Sequence, residues 1–107
     1  MDIEFVNLPV SVPHGDPGEV TIVVRHVVVG AHIDVRLSNP LGVEPPWPAE
    51  VQHVVARPVS PRSADGFAIA MFSVTLSGPC VHAHLLAEAR DRDNFYYATC
   101  AKGLEVT

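Results

Sequence analysis

Residues 80–89, Cys-Val-His-Ala-His-Leu-Leu-Ala-Glu-Ala, change character with a period of two. On a β-strand, successive side chains point to opposite faces. Cys80, His82, His84, Leu86 and Glu88 then share one face, and Val81, Ala83, Leu85, Ala87 and Ala89 share the other. The second set is wholly apolar and must be covered. The first is mostly polar and tolerates water. A segment of this kind demands a sheet with one face against a core and one face open.

The rest of the chain repeats the pattern. Ten prolines and seven glycines punctuate it, and the segments between them suit an all-β domain with turns about every 8–12 residues. The spacing predicts strands over 3–12, 19–28, 31–38, 50–57, 67–76, 80–89 and 95–106. Pro9 interrupts the first, which places it at an edge. Residues 13–18 form a turn. In 31–38 the alternation places Ala31, Ile33, Val35 and Leu37 inward, with His32, Asp34, Arg36 and Ser38 outward. Residues 39–48 form a long proline-rich loop. Pro58 ends the fourth strand because it has no N–H to give a ladder. Gly103 is read as a bulge in the last strand.

Seven strands in 107 residues predict one all-β domain, residues 1–107, built as a seven-stranded Greek-key sandwich. The run Phe72-Ser73-Val74-Thr75-Leu76-Ser77-Gly78-Pro79, the strand after it, the turn Asp91-Arg92-Asp93-Asn94 and the final strand resemble the end of an immunoglobulin-like domain. The resemblance is to that superfamily in its broad bacterial and fibronectin type III sense. It implies that strand 31–38 lies antiparallel beside strand 80–89, with His32 near Glu88 and Arg36 near His84. The chain departs from antibody-type domains: its two cysteines lack the spacing of the inter-sheet disulfide, and Trp47 sits in a loop. Gly18-Glu19-Val20 and the final strands also resemble the Z subunit of the bacterial SoxYZ sulfur carrier, which is similarly small and immunoglobulin-like.

Composition narrows the function classes. Net charge is −5, and the seven cationic residues are scattered. Without a basic stripe, nucleic-acid binding lacks its electrostatic footprint, and an anionic membrane surface is disfavoured likewise. No apolar run approaches the ~20 residues that span a bilayer. The N-terminal residues have neither the basic flank nor the apolar stretch of a signal peptide, so cytoplasmic residence is the default expectation. Cys80 and Cys100 allow one disulfide. A hairpin turning at 91–94 sets Cys100 opposite Leu85, about five residues along the ladder from Cys80, which is too far to bridge. Both are expected as free thiols.

Two candidate sites emerge. The outward face gathers Cys80, His82, His84 and Glu88, with His32 beside them, and these are ligands for zinc, copper or iron. His82 and His84, at i and i+2, can converge on one ion, and the run through Glu88 resembles the first metal motif of cupins. A cupin needs a later histidine, and none follows His84. The second candidate is the loop Pro45-Pro46-Trp47-Pro48. Its prolines pre-order Pro46 and Trp47 for contact with a partner, and Tyr97 adds an aromatic side chain on the neighbouring strand. His26 is read as a buried histidine on the face of Val24 and Val28, leaving Val23 and Val27 exposed. No glycine-rich phosphate loop or nucleophile elbow occurs. The expected function is therefore non-catalytic binding or assembly, with no cofactor and with another protein subunit or a second copy as partner. A metal-binding protein or small metalloenzyme using His82 and His84 is the alternative.

Overall fold

The apolar halves of the alternating segments meet in one core between two sheets. A computed structural model describes residues 1–8, 11–15, 17–39, 50–75 and 82–107; the side chains of Val12, Pro17, His82, Leu104 and Val106 lie outside that description. The described residues form β1 (Asp2–Val6), β2 (Ser11–Val12), β3 (Pro17–Val28), β4 (His32–Ser38), β5 (Glu50–Val55), β6 (Arg57–Pro58), β7 (Asp65–Thr75), β8 (His82–Asp91) and β9 (Tyr97–Val106). One sheet has the order β1-β3-β7-β6 and the other β2-β9-β8-β4-β5. All pairings are antiparallel except β2 with β9. The fold is thus an all-β, two-sheet sandwich.

Nine segments replace the seven expected strands because two strands change sheets. The predicted first strand splits: β1 pairs with β3 in one sheet, and β2 pairs with β9 in the other. Between them Asn7 takes a left-handed φ of 58°, which asparagine tolerates better than most residues. The predicted strand 50–57 splits likewise at buried Ala56, whose backbone bonds to Gly30 and Ala31. Pro58 sits in β6, the outermost strand of its sheet, where a missing N–H costs no ladder bond.

The core takes Ile22 and Val24 from β3, Phe72 from β7, Ile33, Val35 and Leu37 from β4, and Ala83, Leu85, Ala87 and Ala89 from β8. The inward reading of strands 31–38 and 80–89 therefore holds for every described residue; Val81 lies outside the described residues. The reading of β3 fails past Arg25. A β-bulge falls between Arg25 and Val27, with His26 at φ 59°. One extra residue reverses the phase of everything after it. Val27 therefore turns into the core, and His26 and Val28 turn out. His26 is no buried histidine: its ring lies between Asp2 and Asp65, at 3.5 and 3.6 Å. Val23 is buried too, on the outer face between Glu4 and Ile69 of the flanking strands. Gly103 forms no bulge. It pairs in unbroken register with His84 and leaves room beside the His84 ring, which a Cβ there would meet at 3.8 Å.

Candidate partner-binding surface

Alternation places polar side chains of β4, β5, β8 and β9 side by side on the outer face of the five-stranded sheet. The registers set them in rows: His53, Asp34, Arg90 and Tyr97 in one, Val51, Arg36, Glu88 and Thr99 in the next. Asp34 is the hub of the first row. One carboxylate oxygen meets His53 Nδ1, and the other lies 3.3 Å from Arg92 Nε. In the second row Glu88 accepts a hydrogen bond from the Tyr97 hydroxyl. That bond favours the neutral phenol and holds the Tyr97 pKa above its ordinary value, with slight burial and the Glu88 charge adding to it and Arg36 opposing. These side chains line a shallow groove of about 440 Å³.

The registers revise the expected neighbours. β4 and β8 are adjacent and antiparallel, but Arg36 faces Glu88, four residues from the expected pairing. His32 instead reaches the β8–β9 turn, where its N–H donates to Asp93 Oδ2 and its carbonyl accepts from Arg92 N. His84 is exposed, and its backbone N–H donates to buried Asn39 Oδ1. Glu88 shares its face but stands four residues along the strand, roughly 13 Å away, where it cannot bind the same ion at bonding distances near 2 Å. Among the described residues no group of three His, Cys, Asp or Glu could hold a metal. The His82 side chain, Cys80, Pro46 and Trp47 lie outside the described residues. Cys100 is a free cysteine facing Ala87 rather than Leu85, because the hairpin loop runs on to Tyr96.

That longer loop is the feature the sequence reading missed. Asp91 is fully buried at its base. Its carboxylate accepts hydrogen bonds from Asp93 N, Asn94 N and Asn94 Nδ2 at 2.9, 3.1 and 2.9 Å. Its N–H donates to the Tyr96 carbonyl, and its carbonyl accepts from Phe95 N. An aspartate followed two and three residues later by turn formers is the signature of such a self-bonded turn. Held this way, the turn displays Phe95, Tyr96 and Tyr97 in succession, exposed by 83, 53 and 60%. Phe95 adopts φ 60°, a conformation that costs a residue with a Cβ about 1–2 kcal/mol. Tyr97 is outward beside β8, as expected; Phe95 and Tyr96 are not strand residues.

No protein-family model and no curated protein matches this chain.

Proposed function

We propose that this chain is a non-catalytic binding or assembly subunit of immunoglobulin-like, Greek-key architecture, docking to another protein through Phe95, Tyr96 and Tyr97. The architecture is supported by the strand order. A four-stranded sheet faces a second one in which β9, β8 and β4 follow one another, and the opening strand is shared between the sheets as β1 and β2, as immunoglobulin-like domains arrange theirs.

One observation carries the docking. Three consecutive aromatic residues are exposed, Phe95 and Tyr96 on a turn locked from beneath and Tyr97 at the start of β9, and the most exposed of them sits in a strained backbone conformation that glycine would adopt freely. At 83% exposure the phenylalanine ring recovers little by burial there. A rigid aromatic on a pre-ordered turn is what an interface hot spot requires, since little entropy remains to be lost on binding.

Co-purification from the native host tests the reading. Tagged wild-type chain should retain a stoichiometric partner, and Phe95→Gly, folded and at least as stable, should lose it. A partner held equally by both would overturn the role of the turn. A wild-type chain that elutes alone and monomeric by light scattering would overturn the docking function.

A further inference from the structure

The second sheet is unfinished at one edge. β5 belongs to the five-stranded sheet, but the chain crosses at Ala56 and continues as β6 in the other. β6 pairs only Arg57 with Phe67 and Pro58 with Gly66. Beyond Phe67, among the described residues, no strand pairs with this side of β7, although β7 runs on to Thr75. Between β5 and this edge lies a groove of about 610 Å³, lined by Val54, Val55, Phe67, Ile69 and Met71 among others.

The vacant strand position holds a surrogate. The Gln52 carboxamide accepts a hydrogen bond from Met71 N and donates one to the Met71 carbonyl. A single side-chain amide thus satisfies one residue of β7 as a neighbouring strand would. Because backbone polarity alternates along a strand, Ile69 and Ser73 direct their N–H and C=O to the same open edge. Ile69 and Met71 are about half exposed beside it. At the mouth stands Arg57, with no ion-pair partner among the described residues, on a chain whose net charge is −5.

We infer that this edge receives an extended segment of a partner protein, added antiparallel to β7 in line with β6. Its side chains alternate apolar with polar, and it carries a carboxylate for Arg57. Main-chain hydrogen bonds supply affinity, while the groove and Arg57 supply selection. The incoming strand displaces the Gln52 amide and replaces one bonded residue with several. This site uses none of the residues of the aromatic turn.

The test uses a fluorescent, acetylated hexapeptide amide, Val-Thr-Val-Asp-Val-Thr, and the same peptide N-methylated on alternate residues in each of the two phases. The wild-type chain should bind the plain peptide saturably, and N-methylation in one phase should weaken binding about tenfold or more by blocking the ladder. Gln52→Ala, with no amide to displace, should bind about threefold tighter, and Arg57→Gln should bind several-fold weaker only when the peptide carries aspartate. Phe95→Gly should bind unchanged, so loss of the native partner in that variant and failure here are separate results. No saturable binding near 1 mM peptide, or equal binding of both methylated peptides, would overturn the inference using the wild-type chain alone. Concentration-dependent dimerisation of Gln52→Ala without peptide binding would replace the partner strand with a second copy.

Discussion

Phe95 concentrates the tension between folding and function in a single residue. Its left-handed φ is imposed by the hydrogen bonds around Asp91, and its ring, 83% exposed, recovers little by burial. Phe95→Gly should therefore raise stability by about 1 kcal/mol, the released Cβ strain outweighing the added freedom of the unfolded chain. Thermal unfolding measures this, and an unchanged or lower midpoint would mean that the ring packs usefully. Asp91→Ala should act oppositely. It strips the acceptor from two buried-side N–H groups and an amide, costing about 1–3 kcal/mol, and amide exchange at Asp93 and Asn94 should accelerate. Tyr97 offers a third readout. Its phenol pKa is raised, chiefly by donation to Glu88. A raised folded pKa means that the bond's contribution is complete below the unfolded value near 10 and vanishes as pH rises through the folded one. In a Tyr96→Phe background, ultraviolet titration of tyrosinate should show Glu88→Gln moving the Tyr97 transition to lower pH.

Among the elements, β4 and β8 were legible because each alternates without a break and its inward positions are apolar, with the exception of Asp91 at the very end of β8. Any other assignment would bury His32 or expose Leu85. β3 was not legible past Arg25, since a run of valines looks alike on both faces and carries no mark of an extra residue. The mark lies elsewhere in the sequence, at Gly66. A Cβ there would come within 3.0 Å of the Val27 and Arg57 carbonyl oxygens, so the bulge and the close crossing of β6 both require glycine. Gly66→Ala should cost more than the ordinary ±0.5 kcal/mol of a tolerated substitution, about 1–3 kcal/mol through strain, read as a lower urea midpoint with unchanged slope. Cross-strand registers were legible least. The chain continues two residues past Asn94 before pairing resumes, so Cys100 moves from Leu85 to Ala87, and the β4–β8 register depends on packing between strands that no local pattern encodes. For the candidate site, the outward face and Tyr97 could be read in advance. The Asp34–His53 contact could not, because it joins strands through a register.

At the scale of the molecule, the aromatic turn and the open edge of β7 occupy different sides of one body. The turn joins β8 to β9, whereas the groove lies against β5, with β8 and β4 between β9 and β5. Measured from Phe95 on the β9 side, three strand spacings of about 4.8 Å make roughly 14 Å, beyond the ~7–10 Å within which substitutions usually couple, although His32 and Asp34 of β4 contact both the turn and β5. Both surfaces nevertheless rest on one core. Phe72 is fully buried in it from the four-stranded sheet, opposite a β8 whose apolar inward positions are three alanines and Leu85. Small residues on one side cannot close over a lost ring, so Phe72→Ala should cost about 3–5 kcal/mol. A chain of this size has about 5–15 kcal/mol in total. That variant should lose native-partner retention and strand-peptide binding together, in proportion to the fraction unfolded. Phe95→Gly combined with Gln52→Ala should behave otherwise, losing the partner as the first does and binding peptide as tightly as the second, with free energies additive within about 0.5 kcal/mol. A double variant that departs from the sum would mean that the two surfaces communicate through the strands between them, and a subunit with coupled faces would relay occupancy from one partner to the other rather than simply hold both.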